Sequence, residues 1–228
     1  MCGRFTLTMP LRGTFDPANL QETFRDYTFP QTFAPRFNIA PSQPVLAIPN
    51  DGQNRADFFL WGLIPSWAKY PSIGRRLINA RSETLTEKPA FRGAFKYKRC
   101  LILADGFYEW QTRPGAKAKM PYFISLKERR PFAFAGLWDE WLAPGSGPLK
   151  TCLIITTQPN ELMIPLHHRM PVILRPDDYA QWLNPAPQTP ENLLPLLRPY
   201  PADEMTAHPV STLVNHPQND CPECLLPA

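Results

Sequence analysis

Short apolar runs, rich in β-branched and aromatic residues and closed by Pro, Gly or Asn, recur at 45–48, 57–61, 100–104, 122–126, 132–137, 151–156 and 172–174. Runs this short and this composed predict strands. Helical patterning is rarer and predicts helices over 20–27, 83–91, 160–164, 177–183 and 191–197. Ser82 is a good N-cap for the second of these, and Pro89 is expected to end or kink it. Pro176 and Pro190 stand where the first turn of the last two would begin. Segments 113–119 (RPGAKAK) and 143–149 (APGSGPL) read as exposed hairpin loops. No internal repeat or long linker interrupts the pattern. The expectation is one α+β domain over 1–228, dominated by β-structure, with a barrel-like sheet core and peripheral helices.

Composition narrows this further. With 43% hydrophobic residues, 14 Phe, 7 Tyr and 6 Trp among 228, the chain can bury a core and is not a disordered tail. Its 29 prolines are spread among those aromatics, as stiff loops between short strands would be. No apolar stretch reaches membrane-spanning length, and MCGRFTLTMP lacks the apolar core of a secretory signal. A cytoplasmic protein without membrane association is expected, its five cysteines reduced. The net charge of +4 (24 Lys and Arg against 20 Asp and Glu) permits nucleic-acid binding without requiring it.

Several segments carry groups suited to chemistry. Removal of Met1 would leave Cys2 with a free α-amine beside its thiol, and a 1,2-aminothiol condenses with aldehydes to a thiazolidine. The amine and thiol have ordinary pKa values of about 8 and about 8.5, so both are partly nucleophilic at neutral pH. Asn79 and Arg81 in INARSE offer an amide and a phosphate-matched guanidinium, although a polar turn before a helix would use the same residues. Glu109, between Tyr108 and Trp110 in ADGFYEW, suits acid/base work if buried and is otherwise a solvated strand residue. His167-His168-Arg169 offers a titrating group and a cation, or a packing histidine. RFNIAPS and WGLIPSW supply aromatic and proline surfaces on which unstacked bases could rest. Cys221-Pro-Glu-Cys224 with His216 nearby invites a zinc reading, but a second pair of ligands is missing, and two surface thiols in a tail are the other expectation.

Taken in order, CGRF, RFNIAPSQ, WGLIPSW, INARSET, ADGFYEW, HHRMPVIL and His208-Pro-Val-Ser211 resemble the SRAP (SOS response-associated peptidase) family over residues 2 to about 215, leaving 216–228 as a tail. The resemblance implies a bacterial sensor of abasic sites in single-stranded DNA that joins the lesion through the mature N-terminal Cys2 and associates with the nucleoid when DNA is damaged. It implies Asn79, Glu109 and His167 as the other catalytic residues: Asn79 positioning the cysteine, Glu109 contacting the amine, and His167 assisting sugar opening and reversal. It also implies Arg4, Arg81 and Arg169 on phosphates, Pro41 and Trp67 along the strand path, and Asn38, Trp110 and Thr156 as further DNA contacts. No metal or other cofactor is implied, and a monomer is expected. His168 stands at a position open to many residues, so His167 is the expected acid/base, and Cys221 and Cys224 fall outside the pattern. Two readings of other classes stand beside this one. An N-terminal-nucleophile hydrolase or autopeptidase would use Cys2 but not the arginine set. A non-enzymatic single-strand binder would use the arginines but not Cys2.

Overall fold

Five strands close on one another in the computed structural model, which describes residues 2–8, 23–115, 118–142, 145 and 147–228. In chain order the strands are β1 (Phe5–Leu7), β2 (Arg36–Ile39), β3 (Pro44–Pro49), β4 (Asp57–Trp61), β5 (Asn79–Arg81), β6 (Arg99–Ala104), β7 (Gly106–Gln111), β8 (Met120–Leu126), β9 (Phe132–Leu142), β10 (Pro148–Thr157), β11 (Met170–Pro171), β12 (Ile173–Leu174) and β13 (Met205–Pro209). The helices are α1 (Pro89–Tyr97), α2 (Tyr179–Trp182) and α3 (Pro190–Leu193), with 3-10 turns between.

β3 pairs with β4 and β6, β6 with β9, and β9 with β10, all antiparallel; β10 then runs parallel to β4 and completes the ring. Closure leaves these five strands without a free edge. Inside it, every residue of β6 is buried. Gly136 faces Cys100 and Ile102 so closely that a Cβ there would come within 2.8 Å of Cys100 Sγ. β5 continues the parallel edge of β10, where Ile154, Ile155 and Thr156 register with Asn79, Ala80 and Arg81. A second sheet runs in the order β13, β8, β7, β1, β2 and is antiparallel throughout. Only Asp105 separates β6 from β7, so one extended run crosses from barrel to sheet. Phe5 on β1 meets Trp61 and Phe134 edge-on at 5.1 and 5.6 Å, joining the two layers through one core.

The α+β reading and every predicted strand find a counterpart. The last pair of predicted helices does too, as short 3-10 and α turns at 176–182 and 190–196. Two helical expectations are corrected. Over 83–91 there is a 3-10 turn (Ser82–Thr84), and the α-helix opens at Pro89 instead of ending there. Proline lacks the N–H that a first turn leaves unpaired, so it starts a helix at no cost. α1 then buries Phe91, Ala94 and Phe95 at i, i+3 and i+4, and the buried Arg99 guanidinium takes the carbonyls of Phe95 and Lys96 at its end. Segment 160–164 is a chain of turns, in which Asn160 Oδ1 accepts from the Met163 amide at 3.0 Å and holds the backbone. Part of the predicted helix at 20–27, namely 20–22, lies outside the described residues, as do 116–117, 143–144 and 146 of the two predicted loops.

The segment after residue 215 packs back on the second sheet. Cys224 is fully buried against Tyr108, Phe123, Val210 and Val214. The His208 ring nitrogen Nε2 lies 3.0 Å from the Leu225 carbonyl, and the Ala228 amide donates to Pro209 O at 3.0 Å. Cys224 is therefore a core residue, where a surface thiol was one expectation. Among the described residues no group of three or more His, Cys, Asp or Glu side chains is placed to hold a metal ion. Nor is any helix there long and apolar enough to cross a membrane.

Candidate functional site

Cys2 lies three residues before the first residue of β1 and is wholly buried. Its carbonyl accepts from Asn79 Nδ2 at 2.7 Å, so the parallel pairing of β5 with β10 delivers Asn79 to the N-terminal strand. The other amide atom, Asn79 Oδ1, is buried and accepts no hydrogen bond. An acceptor in that state is open to a ligand donor. The Cys2 thiol lies 3.9 Å from the Arg4 carbonyl. Burial, and after it the charge of Glu109, pushes this thiol far above its ordinary range, so in the chain carrying Met1 it stays protonated at neutral pH.

Glu109 comes from the middle of β7, one strand over from β1, and is 3% exposed. Desolvation raises its carboxyl above the usual range, while the positive charge of the amino terminus pulls it back. A buried carboxyl facing a chain terminus is placed to move a proton on and off an amine.

His167 follows the turns at 160–166. The Arg169 amide donates to its Nδ1 at 3.0 Å. The Arg169 carbonyl lies 3.2 Å from the same nitrogen, so both backbone groups of Arg169 hold this edge of the ring. Desolvation, helped by the terminal charge, pushes the ring down to about 4. His167 is therefore neutral at physiological pH. The His168 ring stacks on it at 4.3 Å, and His168 itself is exposed.

The arginines divide. Arg81, at the end of β5, is exposed. Arg4 is half-buried, donates to Asn38 Oδ1 and Val214 O at 2.7 Å each, and lies over the Trp110 ring at 5.6 Å. Arg169 is 7% exposed and grips Glu83 with both terminal nitrogens, at 2.6 and 2.9 Å, while Nη2 also donates to Thr156 O at 2.7 Å. Its guanidinium braces the His167 turn to the segment after β5. Glu83 is the partner that sequence reasoning missed; the four-residue spacing from Asn79 gives no sign of it. Thr156 is fully buried, its hydroxyl on Ala80 O at 3.3 Å.

Asn38 is buried, and its amide donates to the carbonyls of Val214, His216 and Asn219. Asp220 reaches the same place and accepts from Arg36 and from the amides of Phe37 and Asn38. The C-terminal segment thus holds β2, β2 holds Arg4 through Asn38, and Asn215 accepts from Trp110 Nε1 at 2.7 Å. Pro41 is half-buried at the turn after β2, and Trp67, on the loop after β4, is 62% exposed.

A β-barrel with a side sheet thus gathers, near the start of the chain, a buried cysteine, an amide, a buried carboxyl and a neutral histidine. The chain belongs to the SOS response associated peptidase (SRAP) family, whose profile matches residues 1–217. It is 50% identical over 227 residues to the abasic site processing protein YoqW of Bacillus subtilis, covering 99% of each chain. It is 38% identical to the abasic site processing protein HMCES of Gallus gallus over 228 residues, covering 86% of this chain and 67% of that one. A solved structure of a protein from Bacteroides thetaiotaomicron superposes over 100% of both chains with a TM-score of 0.85 at 26% identity.

Proposed function

We propose that this protein processes abasic sites by capturing them covalently in single-stranded DNA through Cys2 once Met1 has been removed. The observation that carries the reading is the enclosure of Cys2 by groups matched to aldehyde chemistry. Asn79 holds the Cys2 carbonyl, Glu109 is a desolvated carboxyl near the chain terminus, and His167 is a neutral imidazole. The names of the relatives, abasic site processing proteins, support the substrate.

In the proposed sequence, the ring-opened sugar offers an aldehyde. The Cys2 α-amine adds to it and loses water to give an imine, with Glu109 taking the proton from the attacking amine. The thiol then adds across the C=N bond, its proton passing to the nitrogen, and the thiazolidine closes. Assisting the opening of the sugar and the reversal of the adduct is assigned to His167. A phosphate contact is assigned to Arg81, the exposed arginine of the set. Arg4 reaches the strand from its half-buried seat on Asn38, beside Trp110. The buried Arg169 and Thr156 act from behind, as supports of the His167 and Asn79 segments. Pro41 and Trp67 offer apolar surface to the flanking bases, and the chain acts as a monomer.

The test is a denaturing-gel shift using protein whose N-terminus has been verified by mass spectrometry and a uracil-containing oligonucleotide treated with uracil glycosylase. A heat-stable shifted band is expected that needs both the abasic site and Cys2. No band with verified Cys2 at the terminus, or an equal band from Cys2→Ala, overturns the proposal. Peptide turnover by the same preparation without DNA would replace it with the hydrolase reading.

A further inference from the structure

Between Phe58 and Ser82 the chain contains no aspartate or glutamate but carries Lys69, Arg75, Arg76 and Arg81. Among the described residues no carboxylate pairs with Lys69, Arg75 or Arg76, and all three are exposed. Trp67 and Tyr70 project from the same stretch, at 62% and 74% exposure, the latter being the most exposed large apolar side chain among the described residues. Exposed aromatics beside unpaired cations, on an acid-free run, have the composition of a surface for single-stranded nucleic acid.

The segment is held rigid from beneath. The amide of Ser66 donates to Asp139 at 2.8 Å, and the Trp141 indole to Ala68 O at 2.8 Å, tying the loop to β9. Pro71–Arg76 forms a 3-10 turn packed so tightly on the end of β4 that a Cβ on Gly62 would lie 2.7 Å from Gly74 O, and one on Gly74 2.8 Å from Gly62 O. Gly62 has φ +140, open to glycine and strained for other residues. Between this turn and Ser42 lies a cleft of about 310 Å³, lined among others by Trp61, Gly62, Ser72 and Arg75. Pro41 adjoins one wall. Arg76 is three residues before Asn79, which places its Cα within about 11 Å of that catalytic position.

We propose that the 66–76 loop is a second binding surface for the DNA strand, extending the track beyond the lesion pocket, with Lys69, Arg75 and Arg76 on phosphates and Tyr70 stacking on a base. This rests on the abasic-site reading for the strand's identity. The surface itself binds undamaged single strands, since phosphates and base faces are present whether or not a base is missing.

The experiment uses the full chain and fluorescein-labelled intact oligothymidylates, short and long, titrated across a range of salt. Replacing Lys69, Arg75 and Arg76 together by Gln is expected to weaken binding of the long strand and to lower the slope of log K against log salt by about 2, or about 0.7 per phosphate. Tyr70→Ala is expected to weaken the long-strand complex at least about fivefold at constant slope. Ser72→Lys should raise the slope, a change of opposite sign that misfolding cannot imitate. Covalent capture of a short abasic oligonucleotide at saturation, followed in parallel on denaturing gels, should be unaltered in all three variants. Unchanged slope and affinity in the triple variant, or no binding of intact strands by the unaltered protein, overturns the second surface. Loss of capture by the unaltered protein overturns the abasic reading instead, so the two failures are distinguishable.

Discussion

His167 shows how surroundings set a charge state. Burial and then the terminal charge oppose protonation, and the ring is pushed down to about 4. A histidine near its ordinary value of about 6.5 would be half-charged in weakly acid solution and would exchange protons there. This one stays neutral there. Because its folded value lies below its unfolded one, the unfolded chain binds the extra proton between pH 6.5 and about 4. The stability His167 contributes is therefore complete above that window and is lost as pH falls through it. A proton NMR titration of the ring should give a midpoint near 4; a midpoint near 6.5 would contradict the assignment. The same scale explains why adjacent histidines differ: His168 stacks on its neighbour but is exposed.

At the scale of elements, the site depends on how β1, β5 and β7 are brought together. β1 has only three residues, and its place is set by side-chain bonds as much as by its ladder. The fully buried Asp105 accepts from the Thr6 and Thr8 hydroxyls and from the Thr8 amide at 2.9 Å, so the carboxylate between β6 and β7 fastens the strand that carries Cys2. Next to it, Gly106 has no room for a side chain: a Cβ would meet Phe123 at 2.1 Å. Gly106→Ala is expected to displace Phe123, cost about 1–3 kcal/mol in urea unfolding and weaken capture by shifting β1. Unfolding at an unchanged midpoint would show that Phe123 turns aside freely. This demand for glycine is not legible in the sequence, since it arises from a ring on β8.

Across the whole molecule, the C-terminal segment behaves as a strap. It covers Tyr108 and Phe123 with Cys224, and through Asn38 and Asp220 it reaches Arg4, some 210 residues away in sequence. Ending the chain after Pro217 removes Asn219, Asp220 and the buried Cys224. We expect a loss of about 3–5 kcal/mol, or about 10 °C in Tm by calorimetry, together with slower capture because Arg4 loses its seat. An unaltered Tm would show that the strap adds nothing to the fold. The family profile stops at residue 217, short of the strap's last turn.

Local chemistry was readable in the amino-acid sequence by itself. Short β-branched runs between prolines and glycines specify strands because backbone sterics and side-chain shape act within a few residues, and the ordered motifs specify the family. Pro89 was misread because proline both ends and begins helices, and only the helix's actual direction of packing decides which. Contacts between distant segments belonged to the tertiary structure alone. Nothing near Glu83 announces Arg169, nothing near Asn38 announces the carbonyls of 214–219, and Cys224 looks like a surface thiol until the strap folds over it. Ring closure through the parallel pair of β4 with β10 likewise depends on partners about 90 residues apart. Whether an arginine meets solvent or a carboxylate is settled by such pairings, because burial and charge partnership are properties of neighbours in space.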